Sequence, residues 1–481
     1  MEYFATLATA SAMIALLTWA LCRRARDFGT AVGLVTGIAA LYYWSLYGAW
    51  FIVIDKTGGF SGKNYQYLEQ KLFPIALDGD YLATLALYGG FVVAVELTLL
   101  ATLDRPRRDP LPRLILRHDA ILALGFVAAA ASIYLMWDKL GAAFRWNVSA
   151  YHYTRTETDR WFTLHQVLNR AALIPPALGV ALLAAGRRSR FFVSVRRRYT
   201  LPAYAVLFGV MGTFTFVLGN KNEILAALVA GLLAYLGSAA RPRVALVAGV
   251  AAAGLWFLYA IDYFRGVPVA RLAEFVSEHW REATGVEGFV SSSNEAYGAH
   301  FSMYGVLAAD TQPRFGYSFY SLLCSIVPRL LWPDRPRDIY LYYSESVGAI
   351  QNQGYSIHHA TGWYLNFGYA GVGLGAAAMG LAWAYSLNAR RRIGRGSGLL
   401  FRIFAVIAPW VFVANLPSLI RSGPEGYKGL AVDGVMTPMI ALALACRVSQ
   451  PARRPRKKSN WDSGGRPDLG TAERLTGNEA D

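Results

Sequence analysis

Cysteine is scarce in this chain: Cys22, Cys324 and Cys446 are the only three among 481 residues. They are too few and too far apart for a disulfide framework, and no CxxC or Cys/His spacing marks a metal site, so neither metal nor cofactor is expected. The alternation of apolar and polar residues that marks half-buried strands is missing as well; apolar residues come instead in blocks of roughly 17–25. The opening MEYFATLATASAMIALLTWALC has no positive leader region and runs into Arg23, Arg24 and Arg26, so it reads as a retained span and not a cleaved signal. Ionisable residues are nearly absent from span interiors, Glu96 being the only one deep within a helix, and no internal or inverted repeat is visible. Both absences argue against a transporter or lipid-linked glycan flippase.

What the chain does have is membrane composition, with 55% hydrophobic and 14% aromatic residues and a mean hydropathy of +0.30. Its net charge of +16 would suggest nucleic acid in a soluble protein. Here the arginines cluster just after apolar blocks, where they set topology, so no nucleic-acid partner is expected.

Eleven apolar runs are long enough to cross about 30 Å of hydrocarbon, near 2–22, 30–54, 81–103, 120–137, 167–186, 200–218, 222–240, 244–261, 361–388, 399–417 and 429–446. Every second connection is arginine-rich: Arg23/Arg24/Arg26, the run from Arg105 to Arg117, residues 187–198, Arg241/Arg243, Arg390/Arg391/Arg392/Arg395 and the PARRPRKK tail. The positive-inside rule then predicts an all-α polytopic protein with its N-terminus outside and its C-terminus in the cytoplasm. Residues 1–450 form one transmembrane domain, including a large external loop at 262–360, and 451–481 read as a disordered basic cytoplasmic tail. Within the loop, 316–332 is too short to span and reads as a re-entrant or interfacial helix.

Mixed polar sets gather at the outer helix ends: Arg160, His165 and Arg170; Asn220, Lys221 and Glu223; Asp262 and Arg265; His358 and His359; Arg421 and Asp433. Such a set suits an anionic lipid-linked substrate, with cations for the phosphate and a histidine or carboxylate as base, although snorkelling and ion pairing account for any one of these residues alone. The turn GNKNEI holds Lys221 beside the N-terminus of the seventh helix, where cation and helix dipole both favour phosphate. Arg265 stands just beyond a span, placed for bidentate pyrophosphate binding or for simple anchoring.

VPRLLWPDRP (327–336), IHHATGWYLNFGYAGVGLGAAAMG (357–380) and the Gly-Lys turn together resemble the O-antigen and exopolysaccharide repeat-unit polymerases, the Wzy-type proteins, over the C-terminal half. Pro328, Arg329, Trp332, Asn366, Phe367 and Gly368 reproduce that family's Pro-Arg-aromatic and aromatic-Asn-Phe-Gly segments, and Arg337 to Gly348 matches an Arg-x10-Gly pattern. The resemblance implies a GT-C-like glycosyltransferase of the bacterial inner membrane. It would take a growing glycan from one polyprenyl pyrophosphate and add it to the repeat unit on another, with the site facing the periplasm and a chain-length regulator as a further partner beside membrane lipids. Such a transfer needs neither nucleotide nor metal, because Arg and Lys can stabilise the leaving pyrophosphate. Lys221, Arg265, Arg329, Arg421 and Arg160 are the expected pyrophosphate-binding residues. His359, His358 or Glu345 is the expected base, with Glu295 and Asp334 as substitutes, and Tyr297, Tyr304, Trp332, Tyr342, Tyr343 and Trp363 are available to stack on sugars. Alternatives are an O-antigen ligase, a polyprenyl-phosphate-sugar glycosyltransferase, for which Asp78 and Asp80 would supply the paired carboxylates, and, from a different class, a lipid-linked glycan transporter or flippase.

Overall fold

The computed structural model describes residues 1–25, 27–58, 68–70, 72–104, 114–156, 162–186, 189, 191–284, 295–325, 327, 332, 334–348, 356–393 and 397–448. Each of the eleven apolar runs is a helix: α1 Glu2–Arg24, α2 Phe28–Lys56, α3 Gly79–Thr102, α4 His118–Arg145, α5 Phe162–Ala184, α6 Thr200–Leu218, α7 Asn222–Ser238, α8 Val244–Phe264, α9 His359–Asn388, α10 Leu399–Ile420 and α11 Gly426–Ala445. Ten of them are long and apolar enough to cross a membrane, which makes this a multi-pass helical membrane protein. The other is α7, with 17 residues and a rise of about 26 Å.

Local chemistry sets several helix starts. Asp27 caps α2, its Oδ1 accepting from Thr30 N at 2.9 Å, and Asp78 caps α3 through Tyr81 N at 2.9 Å. Among the described residues two helices carry π segments, Tyr43–Tyr47 in α2 and Leu430–Met436 in α11, and both lie beside polar clusters. α10 is the central helix, 78% of its apolar window being buried, whereas α1 and α8 are peripheral at 17%. α3 packs on α1 and α9, α5 on α4 and α7, and α7 on α10 and α2. At the α2–α7 contact a Cβ on Gly29 would lie 2.5 Å from Gly237 Cα, so the backbones touch, as small residues allow between membrane helices.

Contacts sort the helix ends into two groups. At one end the α6–α7 turn meets the end of α8 through Lys221 and Asp262, and meets the end of α10 through Asn222 and Arg421. The start of α9 joins this group through His359 and Ser422. At the other end Arg24 reaches Leu100 O, Asn388 bonds Thr102 O, and Arg390 lies against Phe191 and Trp410. The arginine-rich connections that are described all belong to this second end. They also form a structure that nothing in the sequence announces: β1 Leu114–Arg117 pairs in parallel with β2 Phe192–Val195 and antiparallel with β3 Cys446–Val448, in the order β2-β1-β3.

This sheet bears on the helix count. β2 precedes α6 and β3 follows α11, so the strands meet at one end only if the helices from α6 to α11 make an even number of crossings. α7 must therefore be one of them, short as it is, and its path agrees: it starts at the turn end and finishes with Gly237 against Gly29 and Trp410.

The loop 262–360 departs from expectation. Tyr317–Cys324 is a peripheral helix with Tyr320 and Leu323 exposed, while much of the rest of 316–332 falls outside the described residues. The helix that enters the bundle is Glu295–Ala308, too short and too mixed to look like a membrane element in sequence, with His300 buried between α2 and α3. Residues 449–481, the expected tail, also lie outside the described residues.

Candidate functional site

The turn between α6 and α7 is built on Gly219, which closes α6 in the left-handed conformation at φ +67° while Gly219 N bonds Phe216 O and Asn220 N bonds Thr215 O. A side chain there is also sterically barred, since a Cβ would stand 2.7 Å from Arg265 Cβ and 3.0 Å from the Tyr151 ring. Glycine thus lets the end of α8 close on the turn, and the charges follow from that approach. Lys221 Nζ lies 3.0 Å from Asp262 Oδ1, and Arg265, one turn further along α8, reaches the same oxygen at 2.9 Å. The Arg265 guanidinium also sits 5.0 Å above the Tyr151 ring. Arg421, at the end of α10, donates to Asn222 Oδ1 at 2.8 Å and covers the Trp44 ring at 5.0 Å.

Behind this front Arg170 of α5 stands 3.9 Å from Glu223 and 3.7 Å from Asp433 of the α11 π segment. Four cations thus face three carboxylates, leaving one positive charge in excess, at side-chain exposures of 10–21% for Lys221, Asp262 and Arg265. Burial pushes the Lys221 ammonium down to about 8; the Asp262 carboxylate opposes this, and the Arg265 and Arg421 charges add to it. Three cations beside the first turn of α7 in one half-buried place are chemically suited to an anion, since a phosphate there would relieve their mutual repulsion.

Lys221, Arg265 and Arg421 are therefore brought together. Arg160 and Arg329 fall outside the described residues, as does Pro328. No family model, curated protein or solved structure matches this chain.

The expected bases are placed differently. His358 is fully buried; its Nδ1 accepts from Ala360 N at 3.1 Å as a helix cap, so the neutral ring donates from Nε2 to Ser45 Oγ at 3.0 Å. His359 is equally buried, Nδ1 donating to Ser422 O at 2.7 Å and Nε2 accepting from Trp363 Nε1 at 2.9 Å. With both nitrogens of each ring engaged inside the protein, this pair fastens the start of α9 and has no lone pair to offer a substrate. His300 completes the arrangement with Nδ1 on Ser45 O at 2.8 Å and Nε2 near Tyr81 OH at 3.0 Å, and burial pushes it down to about 4. Glu345 is exposed on the short helix Ile339–Ser346 and takes no part in these ion pairs. The side chain of Glu295 is not among those described.

Asp78 is likewise committed, capping α3 and accepting from Tyr304 OH at 3.1 Å, which removes half of the early acidic pair from solution chemistry. Glu96 meets Thr18 of α1 at 2.6 Å, a neighbouring-helix bond that accounts for a carboxyl at that depth. Of the aromatics, Tyr297, Tyr304, Tyr343 and Trp363 are buried in packing, whereas Trp332 is exposed and Tyr342 lies under the Arg314 guanidinium at 3.7 Å.

Asn366, Phe367 and Gly368 have a structural explanation. Gly368 breaks α9 at φ +62°, ψ −147°, a conformation open to glycine, and the chain folds so that Gly371 and Gly375 press against Trp363. Asn366 pins the loop to this break, accepting from Ser318 N at 2.9 Å and donating to Ser318 Oγ at 2.8 Å and Gly362 O at 2.7 Å.

One carboxyl escaped the sequence reading. Glu425, just before α11, accepts from Ile339 N at 3.2 Å, and burial raises its pKa against the lowering effect of the Ser318 hydroxyl and backbone donors beside it. The signal was available, since Arg421, Glu425, Lys428 and Asp433 form a charged run across the last connection.

Proposed function

We propose that this protein is a membrane glycosyltransferase that polymerises polyprenyl-pyrophosphate-linked oligosaccharide repeat units into a cell-surface polysaccharide. In this reading the turn end faces the periplasm, the sheet end faces the cytoplasm of a bacterial cell, and the bundle is GT-C-like. The observation that carries the proposal is the meeting of Lys221, Arg265 and Arg421 with the first turn of α7 at one end of a membrane bundle. A pyrophosphate joined to a lipid presents its charge at that level, with its isoprenoid in the hydrocarbon and its glycan in water.

The transfer itself asks three things of the chain. An acceptor hydroxyl attacks the anomeric carbon, the carbon–oxygen bond to pyrophosphate breaks, and the hydroxyl proton leaves. Lys221, Arg265 and Arg421 neutralise the charge that grows on the leaving pyrophosphate, so they act most strongly in the transition state. The proton goes to a carboxylate, because the histidine pair is fully engaged in holding α9.

Deletion and complementation test the reading. Loss of the protein should leave single-repeat glycolipid, and Arg265→Ala or Arg421→Ala should fail to restore the long-chain ladder at normal protein abundance. Unattached long polymer in the deletion would make the enzyme a ligase, and unchanged surface glycans would overturn the proposal.

A further inference from the structure

Behind the cations lies a second polar group that the charge-neutralising role does not use. His165 and Asn169 stand one helical turn apart on the same face of α5, next to Arg170, and both are fully buried. Asn169 has neither its amide oxygen nor its amide nitrogen bonded within the protein among the described residues. A buried amide with every hydrogen-bonding position unfilled is rare in native structures and is the usual mark of an ordered water or ligand group.

His165 supplies the chemistry. Its Nδ1 lies 2.9 Å from Ser132 Oγ and 3.3 Å from Ser132 O, and a carbonyl can only accept, so Nδ1 carries the proton and Nε2 keeps the lone pair. The charges around that ring come from several elements. Lys139 of α4 and Glu223 of α7 stand close enough to act on it, Arg170 follows on its own helix and holds Asp433 of α11, and α6 presents Phe214 edge-on at 5.7 Å.

We propose that Glu223, with Asn169 and His165 behind it, forms the path by which the acceptor hydroxyl's proton leaves the site. The proton passes to the Glu223 carboxylate, then through water held by Asn169 to Nε2 of His165, giving an imidazolium flanked by the carboxylate that delivered it. The balance closes as one O–H bond is broken and one N–H bond is formed, and the ring returns the proton by the same path once product departs. His165 and Asn169 are positioning residues in this scheme. The inference rests on the function proposed above, and deepens it by naming where the proton goes.

The test uses membrane vesicles holding the full-length protein, given purified lipid-linked repeat unit, with polymer read from a gel ladder between about pH 5.5 and pH 9. Glu223→Gln should slow polymer formation by about 10²- to 10⁴-fold, the range for loss of a general base. His165→Gln, which keeps a group able to bond Ser132, and Asn169→Leu should each slow it about tenfold and displace the acid limb of the pH profile. Unimpaired binding of farnesyl pyrophosphate by all three variants would show that the cation front is intact. If the His165 and Asn169 variants lose the same fraction of activity at every pH, their role is packing and the relay is overturned. A wild-type protein that binds the lipid-linked repeat unit but never extends it would overturn the function itself.

Discussion

Lys221 ties the proposed anion site to pH in a way that one substitution can isolate. Burial, with the charges of Arg265 and Arg421, holds its ammonium near pH 8 against the usual 10.5. A phosphate needs that ammonium charged. Between pH 7 and pH 9 the charged fraction of a group titrating at about 8 falls roughly tenfold, and affinity for a lipid diphosphate should fall by about the same factor. The stability of the unliganded protein should move the other way. Below pH 8 the folded state carries a buried charge it disfavours, and that cost is relieved as pH rises from about 8 towards 10.5, where the unfolded chain still holds the proton.

The assay is titration of farnesyl pyrophosphate onto the purified full-length protein in lipid nanodiscs at each pH, beside Lys221→Arg. The ligand's own phosphates also titrate, but identically for both proteins, and a guanidinium stays charged throughout. The ratio of the two affinities therefore reports Lys221 alone, and should change about tenfold from pH 7 to pH 9. A ratio that stays constant would show that Lys221 is not the titrating cation of the site.

Other consequences are simpler to read. Gly219→Ala places a Cβ against Arg265 and Tyr151, so diphosphate binding should weaken about tenfold or more, with most of the loss coming from a displaced Arg265; unchanged binding would mean that the turn does not set the site. His359→Ala leaves Ser422 O and Trp363 Nε1 without their partner and should lower stability by about 2–4 kcal/mol, seen as reduced abundance and an earlier thermal transition in detergent. A stable variant that has lost all polymer would return His359 to the chemistry. In a protein whose native cysteines are replaced, Asn220→Cys and Arg447→Cys should react with a membrane-impermeant maleimide from opposite sides, and labelling from the same side would break the eleven-crossing path.

The membrane helices were legible because each apolar run is long and closed by arginines, signals that need no knowledge of tertiary contacts. Lys221, Arg265 and Arg421 were legible for a related reason, since a charge at a helix end can only lie near the membrane surface and few surfaces are shared. His358 and His359 show the limit. Adjacency to a long loop suggested access to substrate, but Ser45 and Ser422, which occupy one nitrogen of each ring, come from distant segments that spacing does not relate; only Trp363, one turn along α9, was within reach of spacing. Glu295–Ala308 was hidden by its length, and Asn169 by its ordinary surroundings in an apolar run. The strands LILR, FVSV and CRV are too short to register until three separate connections meet.

That meeting of strands matters for how the sheet end is held. α7 is the shortest of the crossings, and at its sheet end Phe191, just before β2, and Arg390 close over Trp410 beside Gly237. Polar side chains run inward from the turn end as far as the buried His165 and Asn169, so the closure at the sheet end lies across the bundle from them. The three strands draw the connections at 114–117, 192–195 and 446–448 together at that end. The sheet is thus a fastening across three connections far apart in the chain, holding the end of the shortest helix against its neighbours.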